Sequence, residues 1–180
     1  MARTGRGSRY LQSLLVATPA SIPQIFSELM ADAVSAMTHP KACFVVQKLL
    51  DVSDPTAIGQ IVQVVSQNFS HLSLNQFGCH VVQKALTVAA NPTVLVIQLE
   101  KYQVLMNLLH SPHGTHVAQA CIPLLPPSTK AFIINVVRGQ VVNIGRNQHG
   151  TFFIQKLVTG KAGGQVSVQL LVEEIVNNVG

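Results

Sequence analysis

Asn75-Gln76-Phe77-Gly78-Cys79-His80-Val81-Val82-Gln83-Lys84 is the stretch on which the fold turns, because the pattern that starts at Gly78 occurs five times. The other copies are Gly7-Ser8-Arg9-Tyr10-Leu11-Gln12, Ala42-Cys43-Phe44-Val45-Val46-Gln47-Lys48, Gly114-Thr115-His116-Val117-Ala118-Gln119-Ala120 and Gly150-Thr151-Phe152-Phe153-Ile154-Gln155-Lys156. Each runs small residue, small polar residue, aromatic or Arg, two residues that are mostly apolar, then Gln. From Ser8 the small polar positions follow at intervals of 35, 36, 36 and 36 residues. The register extends beyond the motif: Ile25, Ile61, Ile97 and Ile133 keep the same interval, as do Ala36, Leu72, Leu108 and Ile144. A whole-chain period of this kind predicts a solenoid, in which each unit buries its apolar face on its neighbours.

Working outward, a longer amphipathic stretch with a helix-start signal precedes the motif. Asp54-Pro55 opens Thr56 to Gln67, Asn91-Pro92 opens Thr93 to Leu105, and Pro127-Ser128 opens Thr129 to Arg138. Pro in the first turn needs no N–H partner, and Asp, Asn or Ser before it accepts from the free N–H groups. A second polar cap (Asn75, Ser111, Asn147) stands in register before the motif, whose apolar residues fall at helical spacing: Phe77, Val81, Val82, Leu86. Each unit therefore reads helix, short connection, helix. Ile61-Val62-Gln63-Val64-Val65 is β-branched enough to suggest a strand, but the repeating caps and the i, i+3, i+4 pattern outweigh propensity.

Composition narrows the classes. The 180 residues are 48% hydrophobic and only 11% charged, against about 25% charged in an ordinary soluble domain. Disorder is excluded, and the polar surface must come from Gln, Asn, Ser, Thr and His. No apolar run reaches membrane-spanning length, and no secretory signal follows Met1 to Gly7. Cys43, Cys79 and Cys121 form no Cys-x-x-Cys pair, which argues for a reducing compartment and against zinc. His113-x-x-His116 has a ligand-like spacing but no carboxylate or third ligand beside it, so no metal is expected. The net charge of +5 is compatible with nucleic acid. The acids are scattered and no nucleophile–base signature or nucleotide fingerprint appears, so neither an enzyme nor a cofactor is expected.

On the motif helix the small polar residue and the Gln are four apart and share a face, with the aromatic or Arg beside them. Stacked units place equivalent helices about 8–10 Å apart, which lines these side chains into a ladder. Gln offers donor and acceptor to a base edge, and an aromatic or guanidinium plane stacks on bases. Cys121, aligned with Leu49, Ala85 and Leu157, reads as core, as do Val45-Val46, Val81-Val82 and Phe153-Ile154.

These residues resemble the Pumilio (PUF) family of RNA-binding proteins, most fully in Gly78-Cys79-His80-Val81-Val82-Gln83-Lys84 and its Asn75-Gln76-Phe77 lead-in; Gly7 to Gln12 resembles the family's first repeat. The resemblance covers the whole chain. It implies an all-α, right-handed α-solenoid of three-helix repeats curved into a crescent, a single domain over 1–180 with recognition helices around 7–14, 42–50, 78–86, 114–122 and 150–158. It also implies sequence-selective binding of single-stranded RNA in mRNA 3′ UTRs, one base per repeat on the concave face, in cytoplasmic post-transcriptional regulation. Implied base-edge pairs are Ser8 with Gln12, Cys43 with Gln47, Cys79 with Gln83, Thr115 with Gln119 and Thr151 with Gln155; implied stacking residues are Arg9, Phe44, His80, His116 and Phe152. Ser or Cys with Gln is associated with adenine in the family and RNA runs antiparallel, so the N-terminal repeats would take an adenine-rich 3′ segment. The Thr pairs carry no assigned base. His39-Pro40-Lys41-Ala42 departs from the family's usual Asn or Ser and Gly. Implied protein partners are mRNA-decay or translation-repression factors.

Two other readings stay open: a Pumilio-like ribosome-biogenesis factor, nucleolar and weakly base-selective, and a protein-binding α-solenoid. A surface lysine such as Lys130 is expected to contact phosphate. The chain opens on a recognition segment and closes on an apolar stretch, Val166 to Val179, that reads as a first helix. Ends without polar caps suggest a longer array or self-association through the exposed ends.

Overall fold

The fold is given by a computed structural model, which describes residues 1–146, 148–159 and 173. The chain opens on α1 (Gly5–Ala17). Three helices then recur in the same order: α2 (Ile22–Met30), α3 (Ala33–Thr38) and α4 (Ala42–Val52); α5 (Pro55–Gln67), α6 (Phe69–Leu74) and α7 (Gly78–Val88). Next come α8 (Thr93–Val96), α9 (Tyr102–Leu109) and α10 (Gly114–Cys121), then α11 (Pro127–Val137), α12 (Val141–Gly145) and α13 (Gln148–Thr159). Among the described residues there is no strand, and the Val-rich segment at 61–65 lies within α5. By packing the chain divides into two compact units, Met1–Leu95 and Val96–Gly180.

The two-helix unit read from caps and periodicity is corrected to the three helices that the family resemblance implies, because the connection is itself helical. Asn68 leaves the α-helical region at the end of α5 (φ −114°, ψ 22°), its amide donating to Val64 O at 2.9 Å, and α6 starts at once. Gly139, at φ +81°, makes the equivalent break before α12, a conformation that favours glycine. The helix expected over Thr93 to Leu105 is broken too. α8 is a single turn, a 3₁₀ segment covers Ile97–Glu100, and Lys101 is extended before α9. The tighter winding turns Ile97 outward (44% exposed), while Leu95, Val96 and Leu99 carry the core there.

The caps explain where helices begin. Asp54 Oδ1 accepts from Thr56 N (2.8 Å) and Ala57 N (3.0 Å), and Asn91 Oδ1 from Thr93 N (3.1 Å). Ser128, expected as a cap, instead lies inside α11, whose cap residue is Pro126 with no side-chain bond. Before the motif helices the capping position repeats four residues ahead of the small polar residue. Thr4 Oγ1 accepts from Gly7 N (3.1 Å), Asn75 Oδ1 from Phe77 N and Gly78 N (2.8 and 2.9 Å), and Ser111 Oγ from Gly114 N (3.1 Å). In the divergent repeat His39 takes the role, its Nδ1 accepting from Lys41 N (3.1 Å) and Ala42 N (3.3 Å). Asn147 lies outside the described residues, as does the expected helix over 166–179 apart from Glu173.

Close approach fixes the glycine of the motif. A methyl on Gly78 would sit 2.6 Å from Leu72 O, and one on Gly114 2.7 Å from Leu108 Cα, so in these two repeats the short helix lies this close to the motif helix because a side chain is missing. Val45, Val81, Val117 and Phe153 are fully buried beneath the motif, with Leu72, Leu108 and Ile144 on the short helices. Each such side chain contributes about 1.5–3 kcal/mol, and the capped, buried motif helices are the rigid elements on which the polar positions ride.

Candidate nucleic-acid interface

In the first unit α1 lies beside α4, and α4 beside α7, so three copies of the motif stand side by side. Their third residues, Arg9, Phe44 and His80, are exposed, Phe44 by 48%. Gln12, Gln47 and Gln83 are half-buried next to them. The small residues Ser8, Cys43 and Cys79 form the floor, with 1–2% of their surface exposed. Ser8 Oγ donates to Lys41 O (2.7 Å) and accepts from Gln12 Nε2 (3.1 Å). Gln47 Nε2 and Gln83 Nε2 instead donate to the main-chain carbonyls of Cys43 (3.3 Å) and Cys79 (3.2 Å). Burial pushes both thiols up from their ordinary value, so each is a neutral, small, weakly polar group.

In the second unit α10 lies beside α13 and the pattern holds. His116 and Phe152 are exposed, Phe152 by 60%. Thr115 is buried and donates through Oγ1 to His149 O (2.9 Å), while Thr151 Oγ1 donates back to Gly145 O (2.9 Å). Gln119 is half-buried and Gln155 exposed. Within each unit the structure thus gathers the expected pairs and their stacking neighbours on adjacent helices. Such a surface offers flat π or guanidinium faces separated by amide groups, with a floor too small and too buried to bind alone.

One expectation about charge changes. Lys130 is not a surface lysine: only 5% of it is exposed. A row not singled out in the sequence stands two residues before the small position: Arg6, Lys41, Phe77, His113 and His149. Arg6 and Lys41 are exposed on it, and the interval that revealed the motif also reveals this row. Lys84 is tied to Asp51 on the neighbouring α4 by an ion pair, which leaves it less free to meet phosphate. Among the described residues no group of three His, Cys, Asp or Glu could hold a metal ion, and no helix is long and apolar enough to cross a membrane.

The chain matches the Pumilio-family RNA binding repeat over residues 33–66, 68–97, 110–138 and 140–176. It belongs to the Pumilio family. The structures most like this Pumilio chain include the Puf3 RNA-binding domain bound to a Cox17 3′ UTR site (TM-score 0.87, 25% identity) and the yeast Puf5p RNA-binding domain bound to SMX2 RNA (0.85, 22%). The Puf4 RNA-binding domain bound to an HO endonuclease 3′ UTR site follows at 0.82 and 24%. Each alignment covers 99% of the Pumilio chain but 52%, 52% and 55% of the respective solved chains, so it spans about half their length. No curated protein matches it. The likeness gives the fold class as an all-α solenoid of Pumilio repeats.

Proposed function

We propose that this chain binds single-stranded RNA on its motif helices, one base per repeat, as a non-enzymatic regulator that selects mRNAs through 3′ UTR sites in the cytoplasm. The observation that carries this is the coincidence, repeat after repeat, of an exposed plane (Arg9, Phe44, His80, His116, Phe152) with a Gln one turn from a small residue. Stacked bases are worth about 1–3 kcal/mol each, so a few suffice for a specific complex once phosphate contacts add to them. Arg6 and Lys41, both exposed two residues before the small polar position, would make those contacts. Family membership and the RNA bound by the matching Puf3, Puf4 and Puf5p domains support the same reading. Ser8, Cys43 and Cys79, each paired with Gln, favour adenines at the 3′ end of the site.

The test is selection from random RNA followed by titration of the winner against His80→Ala and Gln83→Ala. Each variant should lose about 1–3 kcal/mol, and Lys41→Gln should weaken all RNAs alike and lower the salt slope. Tight binding without enrichment of any sequence would favour the ribosome-biogenesis reading. No RNA binding at all would leave the solenoid as a protein-binding surface.

A further inference from the structure

Ser8, Cys43 and Cys79 occupy one position in three successive repeats, yet their Gln partners are held by different atoms. Ser8 has a single hydroxyl proton, and the carbonyl of Lys41 at 2.7 Å can only accept it. The oxygen of Ser8 must then be the acceptor toward Gln12, at 3.1 Å, so the NH₂ group of Gln12 faces inward. Protons run one way along this chain, from Gln12 Nε2 to Ser8 Oγ to Lys41 O. It fixes Gln12 with Oε1 turned away from Ser8, and it ties α1 to the entrance of α4. In the next two repeats the Gln amide is held by its own helix, through Cys43 O and Cys79 O. The thiols take no part: Cys79 Sγ points its weak bond to Gln76 O instead (3.5 Å). At Thr115 the tie to the next repeat persists, through His149 O, without a bond from Gln119 among the described residues.

We propose that Ser8 is a positioning residue, a hydroxyl relay that orients Gln12 by anchoring it to the next repeat, an anchor that the thiols of Cys43 and Cys79 do not give their Gln partners. A Gln held this way shows a base an acceptor and one remaining N–H, the complement of an exocyclic amine beside a ring nitrogen, as in adenine. A base with a carbonyl in that place meets the Oε1 lone pairs. This inference rests on the RNA-binding reading for its consequence, but not for its first test.

That first test needs no RNA. In the free full-length protein, the Gln12 side-chain NH₂ resonances should show a hydrogen-bonded, slowly exchanging proton. Ser8→Ala should abolish that protection and shift the amide signals of Lys41 and Ala42, while Ser8→Thr keeps it. Cys79→Ala should leave the Gln83 amide as it was. The second test is competition between two RNAs that differ, adenine against uracil, only at the base opposite the first repeat. Ser8→Ala should reduce the preference by about tenfold, with Ser8→Thr restoring it. If Gln12 stays protected and selective in Ser8→Ala, for instance by falling back on the Ser8 carbonyl, the relay is overturned. If the wild-type chain binds neither RNA, the RNA reading falls, and the free-protein spectra still decide the relay.

Discussion

Glycine-to-alanine substitution should move stability in opposite directions at Gly59 and Gly78. Gly59 lies in the middle of α5, exposed, with nothing within 4 Å of where a methyl would stand. Alanine there gains the ordinary helix-interior difference, about 0.8–1 kcal/mol. Gly78 is the first residue of α7, where helix propensity counts for little, and its methyl would meet Leu72 O at 2.6 Å and Leu72 Cα at 3.1 Å, inside the 3.4 Å at which ordinary contact begins. Relief requires shifting the end of α6. That end is pinned by the fully buried Leu72 side chain, by the bond from Asn75 N to Leu72 O (3.2 Å), and by the Asn75 cap on Gly78 itself. Overpacking against backbone costs about 1–3 kcal/mol, and that loss should win. Urea denaturation of the full chain, followed by helical circular dichroism, gives the sign. Because repeat arrays can unfold in stages, hydrogen exchange of the α7 amides supplies the local reading. In thermal melts a change of 1 kcal/mol corresponds to about 2–4 °C. A neutral or stabilising Gly78→Ala would refute the close approach of α6 and α7, and with it the physical reason for the glycine in the motif.

Three further outcomes are expected. His39→Asn should stabilise the chain by up to about 1 kcal/mol, because Asn is a preferred capping residue whose amide oxygen can accept from Lys41 N and Ala42 N in place of Nδ1; urea midpoints of the two proteins measure it. Burial holds the Cys121 thiol at about 12 against 9.0 when exposed, so above pH 9 the native state binds more protons than the unfolded one. Its contribution is whole below pH 9 and is lost as pH rises toward 12, and Cys121→Val should flatten the alkaline fall in stability; an unchanged slope would refute that burial. Cys79→Asn should shift the base preferred by the third motif from adenine toward uracil, by about 1–3 kcal/mol in competition binding, since the new amide leaves the wrong base edge unpaired.

Much of this was legible because the period fixes columns, and columns report on burial. Val45, Val81, Val117 and Phe153 could be placed in the core, and Phe44 and Phe152 outside it, although all are apolar, because their column-mates are Val in one case and Arg or His in the other. What the columns do not report is the path of the backbone between anchors. α6 and α12 are only 6 and 5 residues long, too short for a periodic signal, and each begins where a single Asn or Gly breaks the preceding helix. Ile97 kept the interval of Ile25, Ile61 and Ile133 but not their burial, since a 3₁₀ segment advances the chain at a different angle per residue. Lys130 shares its column with the half-buried Ile58 and with Val94, 41% exposed, so the column does not announce the burial of Lys130.

The repeat that looked most degenerate is also the one where the columns should have been read in pairs. Ala42 replaces the motif glycine, which by the geometry of Gly78 and Gly114 should push the short helix away. Yet Ala42 is buried, at 1% exposure, and the strain has an outlet: the short helix before it carries Ala36 where the others carry Leu72, Leu108 and Ile144. A large side chain there would anchor the helix backbone against the motif helix, whereas a methyl leaves it room to give way. Ala36 and Ala42 line an open cleft of about 260 Å³ together with Ile25, Leu11 and the exposed Arg3 and Asp32. His39, the unusual cap, lies between the two alanines. Each departure taken singly counts against the motif. Together they describe one local repacking that keeps α4, and with it Cys43, Phe44 and Gln47, at the same station as the copies on either side. Ala36→Leu and Ala42→Gly should therefore be coupled in urea denaturation, the double variant being more stable than the sum of the two single changes by about 0.5–3 kcal/mol. Additive effects of the two substitutions would mean that the alanines are independent, and the repacking argument would fail.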